Sequence, residues 1–174
     1  KWDHQHPVDL DAQDWWFRTT FPAPARGSDE PCVLCFDGLA TLAEVWLNGE
    51  HILKAENMFR AYRADVSRFL QDENDLVVVF RSISADLKKR RPRPRWKTNL
   101  VTHQQPRWHR SSLLGRIPGW TPPVPAVGPW RDVRLERGPV LLHDLQRTAT
   151  LDGTDGIVTF RAAADASAKV TAAR

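Results

Sequence analysis

Asn48-Gly49 lies between two apolar stretches, 41–47 (TLAEVWL) and the residues around His51 and Ile52, and no other feature constrains the fold as strongly. Both residues tolerate positive φ, so the pair closes a two-residue turn whose twist matches the strands it joins. Strand, tight turn and strand are expected here, and the rest of the chain must supply partners for that hairpin. The segments 15–21 (WWFRTTF) and 32–36 (CVLCF) are aromatic or β-branched and are separated by Pro, Ala, Gly and Ser, which predicts two strands joined by a surface loop. Alternation over 58–64 (MFRAYRA) predicts a half-exposed strand, 76–80 (LVVVF) a buried one, and 130–135 (WRDVRL) a closing one. In that closing strand Trp130, Asp132 and Arg134 share one face, and Arg131, Val133 and Leu135 the other.

Helix is scarce. A turn or two is expected over 84–91 with Ser84 as N-cap, stopped by Pro92. From 92 to 129 prolines recur too often for regular structure, apart from a short strand expected around 107–114, so this span is a long loop of the kind that carries function. Residues 140–174 change texture to Thr- and Ala-rich strands around Asp152-Gly153 and Asp155-Gly156 turns, with too few large apolar residues for their own core. About eight short strands without a fixed repeat give an all-β sandwich. The expected division is one domain over 1–139 and the opening strands of a second over 140–174.

At 174 residues the chain suits one well-cored domain and part of another. Eight Trp stand against one Tyr and one Met, a skew that serves sandwich cores and sugar faces alike. The net charge of +4 gathers in the run 88–97 (KKRRPRPRWK) and its surroundings, up to Arg116. No stretch approaches a membrane span and no apolar leader occupies 1–10, so a soluble protein is expected, with no membrane partner. Cys32 and Cys35, three apart in a strand, point to opposite faces and are expected to be buried thiols rather than a disulfide, zinc or redox pair.

Three motifs together resemble the N-terminal jelly-roll, galactose-binding-like domain of glycoside hydrolase family 2 enzymes. They are DAQDWWFRTTF (11–21), FDGLATLAEVWLNGEHILKAENMFRAYRADVSRFL (36–70) and VGPWRDVRLE (127–136), in the family's order. Within the family the β-mannosidase-like enzymes are the nearest match, and residues from 140 onward are similar to the first strands of the immunoglobulin-like domain that follows. The resemblance implies a non-catalytic sugar-binding domain that packs on a catalytic (β/α)8 barrel, the barrel supplying the two glutamates of hydrolysis. Such chemistry needs two carboxylates roughly 5–5.5 Å apart in retaining enzymes, and the acidic residues here mostly sit beside turns, so no catalytic residue is expected. The partners implied are carbohydrate and that barrel, with no cofactor.

In β-mannosidases the loop ahead of the closing strand carries a Gly-Trp-Asp-Trp motif that reaches the sugar at the reacting position. Gly119-Trp120-Thr121-Pro122 stands in its place here, and Thr cannot imitate the lost charge. The resemblance therefore makes Trp120 and Thr121 the leading sugar-binding candidates, Trp120 by stacking on a pyranose face; the plainer role for Trp120 is a loop anchor. Trp108 and His109, followed by Arg110, are second candidates at the same opening, and a lone His is as a rule a satisfied structural one. Trp15, Trp16, Trp46 and Trp130 lie in strands and are assigned to structure. The run 88–97 with its interleaved Trp96 also fits a phosphate backbone, but no nucleic-acid-binding fold surrounds it, and a solvated or barrel-docking loop is the better reading. A free-standing carbohydrate-binding module is the other alternative. Nothing resembles a dedicated calcium loop or another metal site.

Overall fold

The computed structural model describes residues 8–23, 30–92, 95, 98–100, 105–117 and 119–166. The strands are β1 (Trp15–Pro22), β2 (Cys32–Phe36), β3 (Leu39–Ala40), β4 (Ala43–Leu47), β5 (Glu50–Ala55), β6 (Tyr62–Asp65) and β7 (Glu73–Phe80). A short helix α1 (Ile83–Leu87) and a 3-10 turn (Gln105–Trp108) follow, then β8 (Gly128–Pro129), β9 (Val133–Arg137), β10 (Val140–Asp152) and β11 (Asp155–Ala166). A four-stranded sheet in the order β1-β7-β4-β5 faces a three-stranded sheet in the order β6-β2-β9, and β3 pairs with β8. Every strand pairing in these sheets is antiparallel.

The core forms where the inward sets of the two sheets meet. Val45 and Leu47 of β4, Leu76, Val78 and Phe80 of β7, and Leu34 and Phe36 of β2 belong to one buried cluster. Leu47, Val45 and Phe36 are 0% exposed, and each such side chain contributes roughly 1.5–3 kcal/mol of transfer free energy. Trp15 and Trp16 face opposite ways as the pleat requires: Trp15 packs on the core and donates from Nε1 to the Leu10 carbonyl at 2.8 Å, while Trp16 is left 65% exposed. Cys32 joins the core, Cys35 lies on the opposite face near Arg63, and both are buried free thiols. Burial pushes the Cys35 thiol up to about 11, which keeps it protonated and unreactive at neutral pH.

The Asn48-Gly49 turn takes the expected geometry, with φ of 53° and 86°. Asn48 does more than turn the chain. Its side-chain amide donates to the Phe69 carbonyl at 2.8 Å and to Asn74 Oδ1 at 2.9 Å, and its Oδ1 accepts from the Asp75 amide at 2.8 Å. Asn74 is 0% exposed and also bonds both ways with Gln71, so a buried polar pair is fully satisfied and locks the hairpin tip to the turn before β7.

Several local expectations are corrected. The strand expected over 58–64 is confined to β6, because Asn57 Oδ1 accepts from the Phe59 amide and turns the chain while Met58 goes inward, 4% exposed. The N-cap of α1 is Ser82, not Ser84: its hydroxyl accepts from the Ala85 amide at 3.0 Å and donates to the Asp11 carbonyl at 2.7 Å. The strand expected around 107–114 is replaced by the 3-10 turn and a single bridge between Asn57 and Arg110. The closing strand begins at Val133, after Trp130 has set its indole against Gly38, where an added Cβ would lie 2.4 Å from the ring nitrogen. Of the two expected turn glycines Gly153 takes positive φ and Gly156 does not, so the last hairpin reverses at Gly153, and Asp155-Gly156 begins β11 instead of making a second turn.

The β10–β11 hairpin stands out from the sandwich. Its base reaches β6, with Arg63 Nη2 at 3.7 Å from Asp165 Oδ2, while Leu142, Leu151, Val158 and Phe160 are all more than half exposed. Register places Ala149 beside Val158 and Leu151 beside Gly156, with Phe160 on the same face, so one face of the ribbon is an uncovered apolar stripe.

Candidate functional site

The long loop between the 3-10 turn and β8 is tied down at several points. Arg116 clamps Asp11 with Nε and Nη2 at 2.6 and 2.7 Å and caps the Ser112 carbonyl with Nη1. Ser112 donates its amide to Met58 Sδ at 2.9 Å, and the Ser111 and Thr41 hydroxyls lie 2.6 Å apart. Gly115 takes a φ of 80° with Val124 against it, where an added Cβ would stand 2.2 Å from the Val124 carbonyl oxygen. Only glycine permits that approach. The Gly115 amide donates to Thr121 Oγ1 at 2.7 Å, which closes the segment carrying Trp120 into a ring.

Of the expected site residues, Trp120 is the most exposed aromatic side chain described, at 73%, and projects from this pinned segment. Thr121 is half-buried and its hydroxyl oxygen is engaged within the loop. Trp108 and His109 stand elsewhere, together on a cleft of about 740 Å³ that neither Trp120 nor Thr121 lines. That cleft opens between Glu44 of β4, Lys54 of β5 and Arg81 just past β7 on one side and the ridge formed by α1 and the 3-10 turn on the other.

Charge organises the cleft. Arg81 bridges Asp14 at 2.9 Å and Glu44 at 2.7 Å, and Asp14 also accepts from the Ser82 amide at 2.8 Å. The Ser82 amide, then Arg81, holds Asp14 below the usual carboxylate range, and the bond from Arg81 does the same for Glu44. On the other wall Asp86 contacts Lys89 at 2.5 Å, Arg91, and His109 Nε2 at 3.1 Å. Burial works against the Asp86 charge, but Lys89 and Arg91 outweigh it and keep the carboxylate low. Burial also holds the His109 imidazole below its usual value, Asp86 only partly opposing it. The His109 side chain is 6% exposed; Nε2 sits at ion-pair distance from Asp86 but out of line for a hydrogen bond, and so has none. Trp108 is 42% exposed.

Lys89 and Arg91, at the front of the basic run, thus fold back onto Asp86; Arg93, Trp96 and Lys97 lie outside the described residues. Among the described residues no group of three or more His, Cys, Asp and Glu is placed to hold a metal, and no helix is long and apolar enough to cross a membrane. The cleft was not visible in the sequence, because Asp14, Glu44, Arg81 and His109 come from four separate segments and Glu44 counts there only as an outward strand position.

Residues 3–131 match the family described as glycosyl hydrolase 2 galactose-binding domain-like. Beta-mannosidase B of Thermothelomyces thermophilus is 33% identical over 147 residues, covering 79% of this chain and 16% of its own length. The Aspergillus terreus beta-mannosidase B is 34% identical over 139 residues, 73% of this chain and 16% of that protein. Among solved structures, the beta-D-mannosidase of Dictyoglomus thermophilum superposes with a TM-score of 0.64 and 26% identity over 88% of this chain and 19% of that one. A beta-glycosidase from Bacteroides vulgatus, 20% identical with a TM-score of 0.59, shares the fold over 91% of this chain. The chain therefore spans less than a fifth of the length of these relatives.

Proposed function

The chain belongs to the glycosyl hydrolase 2 galactose-binding-like domain family, β-mannosidase-like in kind, and from that premise we propose that it is a non-catalytic accessory domain presenting Trp120 to a saccharide held by a neighbouring catalytic barrel. The observation that carries this reading is a large indole left 73% exposed on a segment that the Gly115–Thr121 and Arg116–Asp11 contacts hold rigid. An exposed aromatic on a mobile loop is ordinary surface, but on a braced loop it is pre-organised to stack, because little ordering entropy remains to be lost on contact. Thr121 supports the position of Trp120 through the Gly115 amide and adds no carboxylate to the sugar.

Catalysis is assigned to the parent enzyme, which on this reading hydrolyses terminal β-glycosidic bonds. The four carboxylates of the cleft, Asp14, Glu44, Glu56 and Asp86, are each bound to cations within the chain, and Asp14, Glu44 and Asp86 are held low, which suits neither a general acid nor a free nucleophile. The exposed apolar stripe of β10–β11 supports a second proposal, that residues from 140 onward begin an immunoglobulin-like domain whose remaining strands cover Leu151, Val158 and Phe160.

The test is Trp120→Ala in the parent enzyme, assayed on an aryl β-mannoside. We expect kcat/KM to fall about tenfold or more, which corresponds to roughly 1.4 kcal/mol, with the thermal unfolding of the chain unchanged. Unaltered kinetics would remove Trp120 from the sugar site.

A further inference from the structure

We infer that the 740 Å³ cleft beside α1 is itself a saccharide site, taking a neutral pyranose unit with Trp108 as its platform and Arg110 as its free donor. The inference rests on the sugar-handling reading for its class of ligand, and not on the role of Trp120.

The volume is that of a small-molecule site, and five cationic side chains face four carboxylates across it, so neither an anion nor a cation gains much by entering. The carboxylates are already matched: Asp14 and Glu44 by Arg81, Glu56 by Lys54, and Asp86 by Lys89 and Arg91. A carboxylate paired in this way can still accept hydrogen bonds from hydroxyl groups through an oxygen its cation does not use. The bonds to Arg81 and Lys54 use Glu44 Oε2 and Glu56 Oε1, which leaves one oxygen of each available among the described residues.

Two further groups are open to a ligand. Arg110 uses its carbonyl to accept from the Met58 amide, but its guanidinium has no hydrogen bond or ion pair among the described residues. The Trp108 indole is 42% exposed, and among the described residues neither a ring nor a cation lies over it. His109 stands behind them, its Nε2 closed to solvent against Asp86, and so backs the wall of the cleft. Unfilled donors and acceptors beside an open aromatic plane fit adjacent equatorial hydroxyls on one side of a pyranose and its C–H face on the other.

The other aromatic hollow, lined by Phe59 and Trp130, does not have this character. Arg131 lies 4.3 Å over the Trp130 ring and the indole N–H is spent on the Met58 carbonyl at 2.8 Å, so both the face and the donor are occupied.

The 174-residue chain, titrated with β-1,4-linked mannotriose and followed by calorimetry and saturation-transfer NMR, tests the inference. Trp108→Ala and Arg110→Gln are each expected to weaken binding about tenfold or more, while Leu151→Ala, on the exposed β10–β11 ribbon, leaves it unchanged. Thermal unfolding verifies that each variant folds, and Arg110→Gln, on an exposed side chain, serves if Trp108→Ala does not. No binding by the natural chain, or equal binding by both cleft variants, would overturn the site. Tighter binding of a trigalacturonate than of mannotriose would overturn the neutral class of ligand. Either failure leaves the Trp120 kinetics in the parent enzyme unaffected, so the two readings stand or fall separately.

Discussion

The β4–β5 hairpin buries Val45 and Leu47 completely, whereas the β10–β11 hairpin leaves Leu151 81% and Phe160 63% exposed. Both are antiparallel ribbons reversed at a glycine with positive φ, at Gly49 and Gly153, so local turn chemistry does not separate them. The difference is what lies across from them. The β4–β5 ribbon has β7 at one edge and the β6-β2-β9 sheet above its inner face, and a buried asparagine pair fastens its tip. The β10–β11 ribbon has a sandwich only at its base, through Arg63 and Asp165. A turn decides where a chain folds back, and tertiary cover decides whether the resulting strands contribute to stability.

The largest expected effect that tests this contrast is Leu47→Ala, which should cost about 2–5 kcal/mol in chemical denaturation by opening a cavity in a fully packed site. The same change at Leu151 should stay within about 0.5 kcal/mol, and comparable losses at both positions would break the comparison. Asn74→Ala comes next, at about 2 kcal/mol, because it removes a fully buried side chain whose amide bonds Asn48 and both backbone groups of Gln71.

Acid should weaken the sandwich in two stages. His109 is held below its usual 6.5, so as pH falls through 6.5 the unfolded chain takes up that proton first and stability drops toward the depressed folded value. His109→Gln should flatten this upper stage. Asp14, Glu44 and Asp86 are held low, so their contribution is present above about pH 4.5 and is lost only as pH falls further; it is modest, since Arg81 and Asp14 are more than a third exposed. A stability curve flat from pH 7 to 5 would contradict the burial of His109. The smallest expected change is Phe160→Ser in this chain alone, within about 0.5 kcal/mol, with a rise in solubility that identifies the stripe as uncovered.

Much of the sandwich was legible in the sequence. Alternation in β4, the Asn48-Gly49 turn and the run before Phe80 each state which side is apolar, and period two then fixes the faces. The errors fell where side chains compete with the ladder: Asn57 turning the chain at Met58, Ser82 taking the cap from Ser84, and Trp130 wedging against Gly38 before pairing begins. The exposure of Trp120 follows from the loop's prolines and glycines. The engagement of Thr121 by Gly115 and the clamp between Arg116 and Asp11 join residues too distant or too ordinary for any pattern to connect. For the same reason no pattern in the sequence separates Trp108 and His109, which line the cleft, from Trp120 and Thr121, which do not.

On this reading Trp120 touches sugar in the assembled enzyme. A parent enzyme labelled with 5-fluorotryptophan, its Trp120 resonance identified by loss in Trp120→Phe, can be titrated with mannose and read by fluorine NMR. The account predicts that the Trp120 signal moves along the same saturation curve as sugar binding while that of Trp16 stays in place. A bound sugar that leaves the Trp120 signal unmoved would contradict it.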